Sequence, residues 1–347
     1  MTDQPHRAAQ LEDRVHRVLE GALEGRGWAP RVVPYVGYGT PEWVRVLARV
    51  VLTPTGGDRP RPADVAAGVP SDVRGWRRFV STSATGVEVV VDVEGVVHHV
   101  TSDRDGYLDV RLPARFSPGW ATVSLRVADR PPARAAIRVV GPATRLGLVS
   151  DIDDTVIVTV LPQPLVAFRN AFLLRESART PVAGMAELYA EVMTAHPDVF
   201  VVYLSTGAWN TAGALSRFLH HHGFPRGPLL LTDWGPTTSG WFRSGRGHKR
   251  AQLRRLLQEL PQLSWLLVGD DGQHDPTTYA ELAVEFPDRV AGIAIRELNL
   301  AEQVVGHGTP VARDEPARGP AAALEVRAPD GFGLRDALTA RGLVTEG

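Results

Sequence analysis

The stretch LGLVSDIDDTV (residues 146–156) decides the fold, because an apolar run ends abruptly in three aspartates. A continuous apolar run of this length is typical of a strand that is buried on both faces of a parallel sheet. Further apolar runs follow, separated by stretches with helical spacing, at residues 199–205, 228–233, 264–271 and 289–295. Alternating strands and helices predict an α/β domain with a doubly wound parallel sheet over residues 145–305.

Three of these strands end in residues that can carry chemistry. Asp151 and Asp153 follow the first strand. Ser205 ends the second strand, and Asp270 lies at the end of the run 264–271. Because the carboxyl ends of parallel strands lie along one edge of the sheet, we expect these side chains to converge. Crowded carboxylates oppose one another's ionisation unless a cation lies among them, and hard oxygen ligands select Mg²⁺, which implies a phosphate ligand.

The order of these groups along the chain resembles that of the haloacid-dehalogenase-type phosphatases. Those enzymes have four motifs, which are DxDx[TV], a strand-ending Ser or Thr, a Lys and a terminal acidic pair. Here DIDDT, Ser205, Lys249 and the pair Asp270-Asp271 occur in the same order. The intervening segments VYLSTGAWN, FPRGPLLLTDWG, GHKR and LVGDDGQHDPTTYAEL are similar to the App1 family of phosphatidate phosphatase catalytic domains, over about residues 145–300.

This resemblance implies roles for the acidic residues. Asp151 would be the nucleophile, and Asp153 would be the general acid and base. Mg²⁺ would be held by the Asp151 carboxylate, the Asp153 backbone carbonyl and the Asp270 carboxylate. Whether Asp271 or Asp275 also contributes to the metal site stays open at this point.

The resemblance also implies roles for residues that would face the phosphate ester. Ser205 would donate a hydrogen bond to a phosphoryl oxygen, and Lys249 would neutralise the charge on it. Both are counted with the two leading aspartates as catalytic residues. Thr206 and His248, which are neighbours of these two residues in the chain, are expected to bind the substrate.

The chain outside residues 145–305 has a different pattern. Residues 1–30 carry apolar residues at helical spacing and predict an N-terminal helix. Residues 31–142 contain short β-branched runs between turn signals and predict a small all-β sandwich. Residues 306–347 are rich in Ala, Pro, Gly and Arg, and they predict a loosely ordered tail with a short helix at 333–343.

Composition and charge exclude several classes of protein. The 347 residues contain 38 Lys and Arg against 39 Asp and Glu, and a net charge of −1 gives no general attraction for nucleic acid. The absence of cysteine excludes disulfides, thiolate zinc sites and Cys nucleophiles. No apolar run reaches the roughly 18 to 20 residues of a transmembrane helix, and the polar N-terminus lacks a signal-peptide pattern. We expect a cytoplasmic protein without a transmembrane segment, with a peripheral position at a membrane as an open alternative.

The predicted function is Mg²⁺-dependent hydrolysis of a phosphate monoester through an aspartyl-phosphate. Phosphatidate, a lipid substrate at a membrane surface, is implied by the family resemblance alone. A phosphatase for a soluble phosphate ester stays open, as does a non-catalytic phosphoacceptor or metal-binding module of the receiver type. The receiver type is disfavoured, because an acid two residues after the nucleophile serves turnover rather than storage of the phosphoryl group.

The segment at residues 156–181 lies between the nucleophile strand and the next element, where related phosphatases insert a lid. It is unusually apolar and contains three interspersed arginines. The pattern allows either a packed helix or an amphipathic cap at a membrane interface that admits a lipid headgroup.

Overall fold

The computed structural model describes residues 27–54, 84–158, 180–232, 245–272, 274–299, 302 and 324–344. Residues 1–26 of the predicted N-terminal helix and nearly all of the segment 156–181 lie outside these described residues. At residues 28–30 the prediction of a helix is wrong, because they begin a β-strand. The chain divides into two compact units. The first contains residues 1–141 with 233–244, and the second contains residues 142–232 with 245–347.

The first unit is a mixed β-sheet. Its described strands are β1 (Trp28–Pro34), β2 (Gly37–Thr40), β3 (Trp43–Pro54), β4 (Glu88–Val93), β5 (Val96–Thr101), β6 (Tyr107–Pro113), β7 (Gly119–Arg126) and β8 (Ala133–Val139). β3 pairs antiparallel with β1 and β6, while β8, β7, β4 and β5 form a second antiparallel run. β2 links the two runs, because it pairs antiparallel with β3 and parallel with β8.

Alternating apolar residues give the strands of this unit one common core. Val44, Val46 and Val50 of β3 are buried, as are Val89 and Val91 of β4. These residues belong to a single apolar cluster that also contains residues of β6, β7 and β8. The two runs of strands therefore share one core, as in the predicted sandwich, although hydrogen bonds through β2 join them into one sheet.

The second unit is built around a six-stranded parallel sheet with the order β13-β12-β9-β14-β15-β16. Its elements are β9 (Leu146–Ser150), β10 (Ile157–Val158), β11 (Thr180–Pro181), α1 (Met185–Ala195), β12 (Phe200–Ala208), α2 (Ala212–His221), β13 (Leu229–Thr232), α3 (Gly245–Glu259), β14 (Ser264–Asp270), α4 (Asp275–Glu285), β15 (Val290–Arg296), β16 (Glu325–Ala328) and α5 (Gly331–Thr339). β10 and β11 form a separate antiparallel pair. β9 lies in the interior of the sheet, between β12 and β14.

Helices cover both faces of this sheet, because the direction of the connections reverses. The connections from β9 through β12 to β13 run one way, and those from β13 through β14 to β15 run the other way. Right-handed crossovers then place α1 and α2 on one face and α3 and α4 on the opposite face. The topology confirms the predicted doubly wound parallel sheet. Within the described residues, no helix is long and apolar enough to cross a membrane.

The strands of the second unit are apolar on both faces, as burial under two helical layers requires. Every residue of β9 is buried, and Leu266, Leu267 and Val268 of β14 are fully buried. Gly147 of β9 pairs with Trp265 of β14, and a Cβ atom at Gly147 would lie 2.5 Å from the indole ring. Glycine at this position therefore allows the tryptophan to pack against the central strand.

The prediction of a loosely ordered tail is wrong for residues 325–332. β16 extends the sheet by pairing parallel with β15, and α5 packs against α1 and β16. Leu334 and Leu338 of α5 are fully buried. Asp330 caps this helix by accepting a hydrogen bond from the Gly333 N–H (2.9 Å). The helix expected at 333–343 is thus observed at 331–339, as an integral part of the second unit.

Candidate active site

The candidate site lies at the carboxyl edge of the parallel sheet, where β9, β12 and β14 run side by side. Asp151 directly follows β9, Ser205 lies in β12, and Asp270 ends β14. All three side chains are buried. The Asp151 N–H donates to the carbonyl of Val268 (2.9 Å), which holds the end of β9 against β14. The strand ends converge as the sequence pattern predicts.

Three carboxylates form a cluster at this edge. One oxygen from each of Asp151, Asp270 and Asp275 lies within 4.8 Å of the other two, and all three residues are buried. The Gly272 N–H donates to Asp270 Oδ1 (2.7 Å), whereas Oδ2 of Asp270 and Oδ2 of Asp275 have no hydrogen-bond partner among the described residues. Buried carboxylate oxygens without donors are costly unless a cation binds them. Their donor set fits Mg²⁺, which takes hard oxygen ligands.

Lys249 supplies the positive charge inside this cluster. Its Nζ lies 2.7 Å from Asp151 Oδ1 and 2.6 Å from Asp275 Oδ1, and the side chain is buried in α3. Burial alone would lower the pKa of Lys249, but the carboxylates of Asp151, Asp275 and Asp270 outweigh it and raise this pKa above its ordinary value. The ammonium group therefore stays charged and holds the nucleophile candidate in place.

One ammonium group does not balance the carboxylates around it. Burial raises the pKa of Asp151 to about 8; Lys249 opposes this shift, while Asp275 and Asp153 add to it. Burial also raises the pKa of Asp270, far above its ordinary value, and that of Asp275. These shifts describe the site without a metal ion, in which protons compensate part of the negative charge. A divalent cation would replace those protons.

Asp153 faces a different neighbour from Asp151. The Ser205 hydroxyl donates to Asp153 Oδ2 (3.0 Å) and accepts a hydrogen bond from the Gly207 N–H (2.9 Å). The family resemblance implied that Ser205 donates to a phosphoryl oxygen, but without a ligand its proton points to Asp153. Ser205 therefore orients the predicted acid and base in the free protein, and that interaction must change for a direct contact with phosphate.

The geometry distinguishes the two aspartates whose part in the site the sequence left open. Asp275 is the first residue of α4 and joins the carboxylate cluster. A Cβ atom at Gly269 would lie 2.5 Å from Asp275 Oδ2, so glycine at that position makes room for this carboxylate. Asp271 points elsewhere, since its Oδ1 accepts a hydrogen bond from the Leu298 N–H (2.9 Å). Asp275 is thus placed to bind a cation, and Asp271 is placed to fix a neighbouring loop.

The two predicted substrate-binding residues directly follow Ser205 and directly precede Lys249 in the chain. The Thr206 carbonyl accepts a hydrogen bond from the Thr232 hydroxyl (2.8 Å), and the Thr206 side chain is partly exposed. His248 precedes Lys249 in α3 and is buried. Their contact with a substrate stays a prediction.

Tyr189 is a site neighbour that the sequence pattern did not reveal. Its hydroxyl lies 2.6 Å from the Ser150 hydroxyl, which donates to the backbone carbonyl of Asp151 (2.6 Å). Tyr189 is fully buried in α1, where its spacing is that of an ordinary core residue. The strand-ending Ser150 was the one local signal that a buried hydroxyl partner was required.

Fold and site together define a doubly wound α/β domain with an aspartate cluster at the carboxyl edge of its sheet, an arrangement that resembles the haloacid-dehalogenase type. Residues 146–297 match the family model of the phosphatidate phosphatase APP1 catalytic domain. This match confirms, for that stretch of the chain, the family resemblance predicted from the sequence.

Individual relatives cover different parts of the chain. Phosphatidate phosphatase APP1 of Saccharomyces cerevisiae is 28% identical over 233 residues, which are 63% of this chain and 39% of that protein. An uncharacterized protein of Schizosaccharomyces pombe is 28% identical over 155 residues, or 44% of this chain and 25% of that protein. The chain therefore spans well under half the length of these two relatives. Among solved structures, the HAD domain of the effector Lem4 from Legionella pneumophila matches 44% of this chain and 87% of its own, with 14% identity and a TM-score of 0.30.

The raised pKa values predict how Mg²⁺ stabilises the protein at different pH. The pKa of Asp151 rises from an ordinary 3.8 to about 8 in the folded state, so the metal-free protein should lose stability as pH rises between these values. Mg²⁺ bound at the carboxylate cluster would replace these protons. At one fixed Mg²⁺ concentration, about 100 times the Kd measured at pH 8, the melting temperature should rise by about 5 °C or more at pH 8 and by less at pH 6, where protons compete with Mg²⁺ for the carboxylates. Scanning calorimetry in chelator and in Mg²⁺ measures both values.

The matched variant for this measurement is Asp270→Asn, which removes one charge from the cluster and keeps the side-chain shape. On addition of Mg²⁺, the melting temperature of this variant should increase less than that of the unaltered protein. Equal increases at the two pH values, or an increase unaffected by Asp270→Asn, would contradict the cation site.

Proposed function

We propose that the domain at residues 146–297 is a Mg²⁺-dependent phosphatase that hydrolyses phosphate monoesters through an aspartyl-phosphate on Asp151. The observation that carries the proposal is the contact of Lys249 with both Asp151 and Asp275 inside a buried cluster of three carboxylates. A structural ion pair needs one carboxylate for one ammonium group. Excess buried negative charge at the open edge of a parallel sheet is the arrangement expected for a cation and an anionic ligand.

Different residues of the site would bind the metal ion and the phosphoryl group. Carboxylate oxygens of Asp151, Asp270 and Asp275, with the Asp153 carbonyl implied by the family resemblance, would hold Mg²⁺. Bound there, Mg²⁺ would supply positive charge that offsets the developing charge on the phosphoryl oxygens. Lys249 holds one Asp151 oxygen, which restricts the rotation of the nucleophile, and it adds a second positive charge beside the phosphoryl group.

The reaction then uses Asp151 and Asp153 in sequence. An Asp151 oxygen attacks phosphorus and the ester P–O bond breaks, which leaves an acyl phosphate on Asp151. Asp153 donates a proton to the departing alkoxide. Once ionised, Asp153 accepts a proton from the water that attacks the acyl phosphate, and inorganic phosphate is released. The hydrogen bond from Ser205 keeps the Asp153 side chain in one orientation between the two steps.

We propose phosphatidate as the substrate, with diacylglycerol as the second product. The support is the family match over residues 146–297 and the name of the Saccharomyces cerevisiae relative. The substrate places the protein at a membrane surface during turnover, without requiring a transmembrane segment. Nearly all of the segment 156–181, which the sequence allows as a packed helix or as an interfacial cap, lies outside the described residues, so a soluble phosphate ester remains the second candidate.

A non-catalytic receiver or metal-binding module agrees less well with the contacts. A module that only stores a phosphoryl group or a metal ion has no use for an acid held beside the nucleophile. Here Asp153 is buried, lies two residues from Asp151 and has its own hydrogen-bond donor in Ser205. This arrangement favours turnover.

A substrate panel tests the proposed function. Phosphatidate in mixed micelles, a sugar phosphate and a nucleoside monophosphate are compared by phosphate release, each with Mg²⁺ and with excess chelator. We expect the highest kcat/KM for phosphatidate and loss of all activities in chelator. A higher kcat/KM for a soluble ester than for phosphatidate would change the assigned substrate class. The assignment as a phosphatase would still hold. Undiminished activity in chelator would refute the metal-dependent mechanism.

A further inference from the structure

Arg296 ends β15 at the same sheet edge as the carboxylate cluster and is buried. Its guanidinium group donates to three separate segments of the chain. Nη1 donates to the Asp154 carbonyl (2.8 Å), Nε to the Pro329 carbonyl (3.2 Å), and Nη2 to Glu302 Oε1 (2.5 Å). The Arg296 carbonyl accepts a fourth hydrogen bond, from the Asp271 N–H (3.0 Å). One side chain thus connects the loop after the nucleophile strand to the C-terminal segment.

The loop that Arg296 holds has an unusual backbone. Asp154 has a φ of 59°, in the left-handed region that residues other than glycine seldom adopt. The turn is closed locally by the Asp154 N–H, which donates to the Ile157 carbonyl (2.8 Å), and by the Val156 N–H, which donates to the Ile152 carbonyl (2.9 Å). The Asp154 carbonyl points out of this turn and receives Arg296. Strained backbone persists where its surroundings restrain it, and this bond is such a restraint.

The conformation of Asp154 affects the direction of the Asp153 carbonyl. The peptide group between these two residues contains the Asp153 carbonyl, and its direction depends on the φ angle of Asp154. The Asp153 carboxylate is held by a hydrogen bond from the Ser205 hydroxyl (3.0 Å). Arg296 and Ser205 therefore restrain the backbone and the side chain of the same catalytic segment.

Glu302 makes a buried arginine tolerable at this place. The ion pair with Glu302 neutralises the guanidinium group, so Arg296 adds little net charge to the cluster. Glu302 is itself held in place, since its Oε2 accepts from the Asn299 N–H (2.9 Å) and its own N–H donates to Asn299 Oδ1 (2.9 Å). The planar guanidinium group of Arg296 can donate to three acceptors on separate segments at once. A lysine ammonium group, which is a compact point charge, is less suited to this arrangement.

We propose that Arg296 is a positioning residue for Asp153: by fixing the Asp154 carbonyl, it keeps the general acid and the Asp153 carbonyl in the geometry that turnover and Mg²⁺ binding require. The inference deepens the proposed phosphatase function and rests on it. It also gives the C-terminal segment a part in catalysis, since Pro329 and Arg296 share a hydrogen bond.

The test compares Arg296→Met and Arg296→Lys with a matched control at the other end of the same strand. Arg289 precedes β15, is partly buried, and donates to the carbonyls of Leu263 (2.8 Å) and Leu260 (2.9 Å). Arg296→Met should lower kcat about 10- to 100-fold and leave KM within about threefold. It should also lower the affinity for Mg²⁺ about tenfold. Arg296→Lys keeps the charge and should recover part of the kcat. Arg289→Met should change neither kcat nor Mg²⁺ affinity by more than about twofold.

Calorimetric titration with Mg²⁺ makes this test independent of activity. If no ester is hydrolysed by the unaltered protein, the proposed function fails, while the Mg²⁺ affinities still decide the role of Arg296. A folded Arg296→Met variant with unchanged kcat and Mg²⁺ affinity would overturn the proposal, as would equal losses in Arg289→Met. If Arg296→Met does not fold, the Arg296→Lys variant decides the question. An Arg296→Lys variant that melts near the temperature of the unaltered protein, with unchanged kcat and Mg²⁺ affinity, would overturn the positioning role of Arg296.

Discussion

Replacing Asp151 with asparagine is expected to lower phosphatase turnover by about 10⁴-fold or more, for every substrate and leaving group. The amide nitrogen and oxygen of asparagine are poor nucleophiles towards phosphorus, so the first chemical step is lost. No phosphorylated enzyme should form. Phosphate release and the mass of the acid-quenched protein measure the two effects.

The same variant should remain folded, which separates loss of chemistry from loss of structure. Burial raises the pKa of Asp151, so the charged form is unfavourable in the metal-free fold, and Lys249 keeps Asp275 as a partner. In chelator at pH 8, Asp151→Asn should melt at or above the temperature of the unaltered protein. Asp288→Asn, at an exposed position of the same unit, is the control and should keep full activity. Substantial turnover by Asp151→Asn would refute the nucleophile assignment.

The central part of the sheet and the meeting of its polar strand ends could be predicted from the sequence for a physical reason. Strands buried on both faces have continuous apolar runs, and parallel strands must all end at the same edge. Two short-range patterns were therefore enough to bring Asp151, Ser205 and Asp270 together. The first unit was predictable in the same way, because one apolar face on each strand produces alternation.

The places of Asp275, Arg296 and Tyr189 around the nucleophile could not be fixed from the sequence, because they depend on turns and on packing between distant segments. Asp275 joins the cluster because Gly269 leaves room for it, which is a feature of three-dimensional distance. Arg296 reads in the sequence as a polar residue after an apolar strand, and its three acceptors lie 6 to 142 positions away. Tyr189 has the spacing of a core residue, and its hydroxyl partner lies 39 positions away.

The C-terminal strand was missed because its own sequence is weak evidence for a strand. β16 has four residues, Glu325–Ala328, and follows a long stretch rich in Ala, Pro and Gly. A short edge strand is stabilised by the neighbour it pairs with, here β15, rather than by its own propensity. The composition of the tail describes the stretch before β16. It carries no information on whether residues 325–328 can pair with the free edge of β15.

Replacing Asp153 with asparagine is expected to separate the two chemical steps. With phosphatidate, whose alkoxide is a poor leaving group, turnover should fall about 10²- to 10⁴-fold, because no acid protonates the departing oxygen. With p-nitrophenyl phosphate the leaving group needs no acid, so the first step should survive. Water attack on the acyl phosphate then lacks its base. Phosphorylated enzyme should therefore accumulate. Mass spectrometry after acid quench should locate the phosphate on the peptide that contains Asp151.

The contrast between the two variants tests the assignment of roles, because both remove one carboxylate from the same buried site. Asparagine at position 153 can still accept the hydrogen bond from Ser205, so the orientation of the side chain should persist and only its proton transfer is lost. A loss with Asp153→Asn that is equally large for both leaving groups, with no phosphorylated enzyme, would mean that Asp153 acts on the first step by some means other than protonation. Phosphate found on Ser205 or Thr206 would move the nucleophile away from β9 and reopen the choice of reaction class.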